Sequence, residues 1–144
     1  MTIFRPCYNR RMTSVLDEAV LIAVQAHHGQ TDRYNAPYTL RSLRMMLHMQ
    51  TATGQIAAVL HDLIEDTDWT LSDLQQHSFP HEILDALNCL TRRVNEPYDT
   101  YVHRAASNPI ARRVKQADLE DNMDLRRIIA LNEKDFDRLA QYLR

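Results

Sequence analysis

The chain has 144 residues, of which 44% are hydrophobic, and its formal net charge is −2 at pH 7. This length suits one domain with a real hydrophobic core, and the composition excludes an intrinsically disordered chain. The balanced charge gives no global reason to expect binding to nucleic acid or to an anionic membrane. The two cysteines, Cys7 and Cys89, make neither a disulfide framework nor a zinc motif, so the expected location is the cytoplasm.

The first twelve residues are predicted to be a loose lead-in to a single domain that covers residues 13–144. Arg5 and Arg10 precede no apolar segment of the kind found in a secretory signal. The longest purely apolar run, residues 19–24, is much too short to span a bilayer. Met12 could itself be a translation start, which the sequence does not decide.

Helical periodicity dominates the sequence, and strand-like alternation is scarce. Only two glycines occur, Gly29 and Gly54, which also favours an all-α domain, here of about seven or eight helices. Thr13 or Ser14 can cap a first helix that runs to about His28, with Gly29 as its stop. A second helix is expected over residues 39–49, and its inward stripe is predicted to consist of Leu40, Leu43, Met46 and Leu47.

The organising stretch of the chain is a third predicted helix, residues 57–67. Its mostly apolar surface carries four ionisable side chains within an arc of roughly 140°. They are His61, Asp62, Glu65 and Asp66. Carboxylates on an apolar helix are costly to bury without a cation, and imidazole with carboxylate is a plausible ligand set for a divalent ion. A solvated helix end with a core histidine is the plainer interpretation, but four such residues together favour a site.

Capping residues and prolines mark the starts of the remaining helices. Thr70 with Asp73 and Asn132 with Asp135 have capping-box spacing. Prolines are expected to open three more helices, at Pro80, Pro97 and Pro109. The helix that begins at Pro109 is predicted to be the longest and to run to about Leu131.

A second acidic cluster interrupts the apolar stripe of this long helix. The stripe consists of Ala111, Val114, Leu125 and Ile128, and both Asp118 and Asp121 fall inside it. A buried aspartate on a second helix is what the first cluster would need to complete a metal site. The alternative is that Asp121 or Asn122 makes ordinary helix-to-helix hydrogen bonds.

Together these motifs resemble the HD-domain phosphohydrolases, whose fold is an all-α helical bundle. The ordered set is His61-Asp62, then Glu65-Asp66-Thr67, then Val114-Lys-Gln-Ala-Asp118. It is more closely similar to the ppGpp alarmone hydrolase domain of the RelA/SpoT type and its small stand-alone relatives. Further matching segments extend the resemblance over residues 14–128, namely 26–30, 37–38, 90–92 and 121–123.

The resemblance implies a metal-dependent reaction that removes pyrophosphate from the 3′ position of a guanosine alarmone. It implies one divalent ion, usually Mn²⁺, held by two histidines and two aspartates. His61, Asp62 and Asp118 match three of these ligands, and Glu65 with Asp66 matches the pair that activates water. A divalent ion lowers the pKa of a bound water and screens the phosphates. Contacts to guanine and phosphate are implied for Arg33, Tyr38 and Asn122.

Two residues depart from the family pattern. Arg41 stands where the family has its first metal-ligating histidine, and Ser42 replaces the following proline. A guanidinium cannot ligate a metal, because it stays protonated, but it can pair with Asp62 or Asp118. Asp32 lies where the alarmone hydrolases usually carry a basic residue. His27 and His28 on the first helix are candidate replacement ligands. His48 is a poor replacement, because it lies about two helical turns from position 41.

These features leave two interpretations open. The first is a phosphohydrolase acting on a nucleotide, with a metal site altered by Arg41. The alternative is a degenerate HD domain that serves as a metal-free nucleotide-binding or regulatory module, in which Arg41 neutralises the acidic cluster. No nucleic-acid or membrane partner is expected, since the basic pairs 92–93 and 112–113 are more simply solvated faces. The oligomeric state is not indicated.

Overall fold

Nine α-helices account for most of residues 9–128 and 130–144, which the computed structural model describes. They are α1 (Arg10–Ala26), α2 (Tyr38–Leu47), α3 (Ala52–Leu60), α4 (Leu63–Asp66), α5 (Leu71–Gln75), α6 (His81–Leu90), α7 (Tyr98–Ser107), α8 (Pro109–Asn122) and α9 (Glu133–Tyr142). These ranges contain no strand beyond one isolated bridge, between Thr31 and Pro37. The all-α prediction is therefore confirmed, with one helix more than expected because the organising helix is divided into α3 and α4.

The first helix begins earlier than predicted. Asn9 is its N-cap, and the Asn9 side chain accepts a hydrogen bond from the main-chain N–H of Met12. Arg10 to Met12 therefore belong to α1, and neither Thr13 nor Ser14 is the cap. The rest of the predicted lead-in, residues 1–8, lies outside the described residues. Helix α1 ends at Ala26, and Gly29 follows with a φ of 78°, a left-handed conformation that suits glycine.

The third helix begins at Ala52, five residues before the predicted start at residue 57, but the predicted helix starts after residue 69 are confirmed. Helices α5 and α9 each begin with a complete capping box, formed by Thr70 with Asp73 and by Asn132 with Asp135. Pro80 and Pro97 are the N-cap residues of α6 and α7, and Pro109 is the first residue of α8. Proline suits these positions because the N–H that it lacks would have no partner in the first helical turn.

Helix α3 lies at the centre of the fold and packs against α1, α2, α6 and α8. Eight of its nine residues are buried, so nearly its whole circumference is apolar or small. Ile56 and Leu60 pack into the core formed with α1, α5 and α6, whereas Ala57 and Ala58 face the core formed with α2 and α8. Helix α3 is therefore the element against which four other helices pack.

Helix α2 turns a different face inward from the one predicted. Leu40 is 48% exposed and Leu47 is 72% exposed, while Arg41, Ser42 and Met45 are buried. The predicted inward stripe is therefore wrong at both of its ends. The physical reason is electrostatic, because the buried carboxylates of Asp118 and Asp121 lie beneath this helix and bond its arginines. The same face also places Met45 in the apolar core with α3 and α8.

Helix α8 is shorter than predicted. It ends at Asn122 and has 14 residues, against 17 in α1. The chain continues in a 3₁₀ turn, Leu125–Arg127, whose start is capped by the Asp124 side chain, and Leu125 is 48% exposed. The predicted continuation of the helix to Leu131 is therefore wrong. In the described part of the chain, no helix combines the length and the apolarity needed to cross a membrane.

Candidate functional site

The site is built around a break in the main chain between α3 and α4. The single helix predicted over residues 57–67 is interrupted at His61 and Asp62. His61 is buried, and its Nδ1 donates to the carbonyl oxygen of Ala58 at 2.7 Å, which fixes the ring. Asp62 leaves the α-helical conformation, with φ −96° and ψ 1°, before α4 begins at Leu63. The break turns the Asp62 carboxylate towards α2.

The three predicted metal ligands lie together, and Arg41 lies among them. His61 Nε2 is 2.8 Å from Asp62 Oδ2 and 3.9 Å from Asp118 Oδ1. Arg41 donates from Nε to Asp62 Oδ2 at 3.3 Å, and from Nη2 to Asp118 Oδ1. One edge of the guanidinium therefore holds one oxygen from each aspartate. Asp118 and Asp62 face a common centre although they come from helices far apart in sequence.

Electrostatic attraction determines the ionisation of this cluster. Burial alone would raise the pKa of Asp62, but His61 and Arg41 hold that pKa well below its ordinary value. Burial would likewise lower the pKa of His61, but the Asp62 carboxylate outweighs it and raises the pKa. The pKa of Arg41 is raised by Asp62 and Asp118 despite desolvation. The cluster is therefore a set of ion pairs in a largely buried setting.

A second group of ion pairs is centred on Asp121 and shares Arg41 with the first. Its carboxylate accepts from Arg41 Nη1 at 2.8 Å, from Arg44 Nε at 2.9 Å and from Arg127 Nη1 at 2.6 Å. Burial tends to raise the pKa of Asp121, but these cations lower it overall. The neighbouring Asn122 accepts from Arg41 Nη1 at 3.1 Å. With Asp62 and Asp118, Arg41 thus uses four of its five N–H groups.

A divalent ion does not fit this arrangement while Arg41 is in place. An ion bonded to Asp62 and Asp118 would lie about 2.0–2.2 Å from an oxygen of each. The guanidinium already holds those oxygens, so the space between them contains a cation. Within residues 9–128 and 130–144, no group of three or more His, Cys, Asp or Glu side chains is arranged to hold a metal ion. The metal-ligand role of His61, Asp62 and Asp118 remains a prediction.

None of the three histidines His27, His28 and His48 supplies a ligand in this arrangement. His27 is buried, its Nδ1 lies 2.8 Å from Gln30 Oε1, and its ring packs 4.7 Å from the ring of Tyr38. The His27 ring therefore packs against the Tyr38 ring and helps to hold it in place. His28 and His48 are both exposed to solvent.

Tyr38 contacts both Asp62, a predicted metal ligand, and Asp66, one of the two residues predicted to activate water. Its hydroxyl lies 2.6 Å from Asp62 Oδ2 and 2.8 Å from Asp66 Oδ2. Burial and the Asp62 charge raise the pKa of Tyr38 far above its ordinary value, so the hydroxyl keeps its proton. The Asp66 carbonyl oxygen accepts from Gln30 Nε2 at 3.0 Å. Asp66 is thus held on one side of the cluster by the α1–α2 segment.

Glu65 lies on the other side, at the edge of a cavity. Its Oε1 accepts a short hydrogen bond from the main-chain N–H of Arg92. Burial raises the pKa of Glu65, and the charges of Asp62 and Asp66 raise it further, although the Arg92 N–H acts in the opposite direction. A carboxylate with a raised pKa beside a cavity is a candidate acid or base.

The cavity has a volume of about 430 Å³ and a mixed polar and aromatic lining. All five tyrosines within residues 9–128 and 130–144 line it: Tyr34, Tyr38, Tyr98, Tyr101 and Tyr142. Basic side chains also line it, namely Arg33, Arg41, Arg92, Lys115 and Arg127. Asp62, Glu65, Asp118 and Asn122 also line it, so six of the eight predicted site residues do. The other two, His61 and Asp66, do not line the cavity, and His61 contacts the lining residue Asp62. Asp66 joins them through Tyr38.

Asp32 has a structural role that explains its departure from the family pattern. Its Oδ1 accepts from the main-chain N–H groups of Tyr34 and Ala36, and its Oδ2 pairs with Arg127 Nη2 at 2.7 Å. These contacts lower the pKa of Asp32 despite its burial. Asp32 thus shapes the 31–37 turn, while the neighbouring Arg33 is exposed, with its guanidinium carbon 5.9 Å from the Tyr34 ring centre.

Several lining residues were missed from the sequence. Lys115 Nζ pairs with Asp118 Oδ2 at 2.8 Å and lies 5.0 Å from the Tyr101 ring centre. The sequence spacing could have indicated some of them. Lys115 precedes Asp118 by about one helical turn, and Tyr98 precedes Tyr101 by the same distance, so each pair lies on one face of its helix. Arg127 and Tyr142 gave no such signal, since only the tertiary fold brings them to the cavity.

Comparison with known proteins agrees with the motifs. No protein-family model matches the chain. The chain is similar to the guanosine-3′,5′-bis(diphosphate) 3′-pyrophosphohydrolase of Vibrio cholerae serotype O1, with 34% identity over 83 residues. That match covers 54% of this chain and only 12% of the length of the relative.

A solved structure gives a match over nearly the whole chain. It is described as a metazoan ortholog of SpoT that hydrolyses ppGpp, and it matches with a TM-score of 0.74 at 20% sequence identity. The match covers 94% of this chain and 83% of the other. The two findings confirm the resemblance to the alarmone hydrolases, and the structural match confirms the helical fold.

Proposed function

We propose that this chain is a phosphohydrolase that removes pyrophosphate from a guanosine polyphosphate of the ppGpp type. The observation that carries the proposal is the cavity, where Glu65 lies among tyrosines and basic side chains and Asp66 contacts the lining residue Tyr38. Both relatives described above are named for hydrolysis of such a nucleotide. The substrate is therefore a small anionic nucleotide, and neither a nucleic acid nor a membrane is needed to account for the site.

The lining suits a nucleotide with several phosphates. Arg33 and Arg92 offer cationic groups at the cavity wall, and Lys115 adds a third close to Asp118. Phosphate oxygens are recognised by such groups through charge-assisted hydrogen bonds. The tyrosine rings provide flat faces for a base, and Asn122 offers an amide at the same wall. Arg33, Tyr38 and Asn122 are the proposed substrate-binding residues.

Glu65 is proposed as the group that activates water. In the reaction, the water oxygen attacks the phosphorus that is bonded to the 3′ oxygen. The bond between this phosphorus and the 3′ oxygen then breaks. Glu65 accepts one proton of the water, and the departing 3′ oxygen takes a proton from solvent. Glu65 then returns its own proton to solvent, and pyrophosphate is released. A raised pKa brings Glu65 closer to the value that suits a base at neutral pH. Asp66 orients the reacting groups through its contact with Tyr38.

Arg41 is proposed to supply, in this chain, the positive charge that holds the acidic cluster together. It bonds Asp62, Asp118 and Asp121 at once. A divalent ion could then bind only if the guanidinium were displaced, so the affinity for Mn²⁺ should be low. This arrangement also supports the second candidate function, a metal-free nucleotide-binding or regulatory module. Its specific basis is that four of the five N–H groups of Arg41 are already used within the protein.

A hydrolysis and binding assay separates these functions. The purified protein is treated with EDTA, and pyrophosphate release from ppGpp is measured with and without added Mn²⁺, beside calorimetric binding. Glu65→Gln should lower turnover by about 100-fold or more. The control Glu120→Gln changes an exposed acid on α8 and should have no effect. Binding without turnover would favour the regulatory module, and the absence of both would contradict both functions.

A further inference from the structure

Arg104 on α7 fixes the point at which the chain leaves α6. Its Nη1 donates to the carbonyl oxygen of Asn88 at 2.6 Å, and its Nη2 donates to that of Thr91 at 2.8 Å. Carbonyl groups at the end of a helix have no partner within the helix. A cation placed there is also favoured by the helix dipole. Arg104 therefore stabilises the end of α6 through a side chain that comes from the next helix.

Glu96 extends this anchoring to residues 91–97, the loop that joins α6 to α7. It forms a two-point ion pair with Arg104, at 3.0 Å from Nε and 2.7 Å from Nη2. Glu96 Oε2 also accepts from the main-chain N–H of Arg93 at 2.9 Å, and its carbonyl oxygen accepts from the Arg92 guanidinium. The Glu96 and Arg104 side chains are only 8% and 17% exposed. This pair, which we call the Arg104–Glu96 clamp, is thus better shielded than an ordinary surface ion pair.

The loop held by the clamp carries the hydrogen-bond donor to Glu65. The main-chain N–H of Arg92 donates directly to Glu65 Oε1. Glu65 itself lies on α4, which has only four residues and can contribute little rigidity of its own. The direction of its carboxylate therefore depends on where the loop places the Arg92 amide.

We infer that the Arg104–Glu96 clamp positions Glu65 for reaction by holding the Arg92 amide against its carboxylate. The inference rests on the proposed function, in which Glu65 receives the proton of the attacking water. Neither clamp residue lines the cavity, so both are positioning residues. Since a misplacement of about 1 Å can cost about 100-fold in rate, loss of the clamp should lower kcat much more than it raises KM.

The test combines an amide measurement with kinetics. Arg104→Gln and the milder Glu96→Gln are compared with Arg126→Gln, which removes an exposed ion pair with Asp124. NMR of ¹⁵N-labelled protein should show the Arg92 amide proton shifted upfield in both clamp variants, with exchange faster by about tenfold. Glu65→Gln should shift the same amide, and adding Arg104→Gln to it should cause little further change. Arg126→Gln should leave this amide unchanged.

The variants that change the Arg92 amide should also have a lower kcat. Arg104→Gln is expected to lower kcat for pyrophosphate release by about 10-fold to 100-fold, with KM changed by less than about threefold. An Arg92 amide that keeps its shift and its protection in both folded clamp variants would overturn the inference. If the unchanged protein releases no pyrophosphate, the proposed function fails, while the amide measurement still decides whether the clamp holds Glu65.

Discussion

At the scale of single residues, each aspartate of the ionic cluster bonds more than one basic side chain. Asp121 shows this most clearly, because its carboxylate bonds Arg41 and Arg44 from α2 and Arg127 from the 3₁₀ turn that follows α8. Its side chain is 4% exposed, so removing its charge would leave three cations close together with little solvent. Breaking a buried pair in this way costs more than replacing the whole pair by apolar groups.

We therefore expect Asp121→Asn to lower the free energy of unfolding by about 3 kcal/mol at pH 7. The pKa of Asp121 is lowered in the folded protein, so its contribution is present above the ordinary carboxyl pKa of about 3.9. That contribution is lost as the pH falls through the lower, folded-state value. Urea denaturation of both proteins from pH 7 to pH 3 should thus give a smaller difference at the acid end.

Asp85→Asn, at an exposed position on α6, is the matched control and should change stability by less than about 0.5 kcal/mol. An Asp121→Asn protein as stable as the unchanged protein at pH 7 would contradict the assigned ion pairs.

At the scale of secondary-structure elements, α2 determines where the arginines meet the acidic residues. Its sequence offers two competing faces, one with Leu40 and Leu47 and one with Arg41 and Met45. The second face is buried, because α8 and the break after α3 present carboxylates to it. The buried face of α2 thus combines ion pairs made by Arg41 with apolar packing of Met45.

The orientation of α2 can be tested by two substitutions. Leu47→Lys should change the free energy of unfolding by less than about 0.5 kcal/mol, because Leu47 is 72% exposed. Met45→Ala should cost about 2–5 kcal/mol, because Met45 is fully buried in the core with α3 and α8. Chemical denaturation measures both values. The opposite order of effects would mean that α2 faces the core through its leucine stripe.

The fold class, the helix starts after residue 69 and the proximity of His61, Asp62 and Asp118 were predictable from the sequence. Caps and prolines act over a few residues, so Thr70 with Asp73 and Asn132 with Asp135 carry their own signal. The break at His61 was not predictable, because it depends on partners from α2 and α8 that local periodicity does not contain.

The faces of α2 and the end of α8 were missed for a similar reason. In both cases a polar contact made elsewhere in the fold overrides the apolar pattern. Arg127 entered the site from a segment that was predicted to be helical, and it reaches both Asp121 and Asp32 only because that segment turns. Contacts between segments that lie nearly a hundred residues apart are not reflected in the hydrophobic periodicity of either segment.

At the scale of the whole molecule, the fold gathers segments from both halves of the chain round one centre. Helix α3 provides the apolar support, α2 brings Arg41 and α8 brings Asp118. The cavity above them holds most of the tyrosines of the chain. The central claim is that Arg41 provides this centre with its positive charge in place of a divalent ion.

The most direct test of that claim is a calorimetric titration with Mn²⁺ of the unchanged protein and of Arg41→His. Histidine is neutral at neutral pH and can ligate a metal, and His61, Asp62 and Asp118 are already held close together. The account predicts weak binding to the unchanged protein, and binding at least about tenfold tighter with one equivalent in Arg41→His. Tight binding of one equivalent by the unchanged protein, with no gain in Arg41→His, would contradict it.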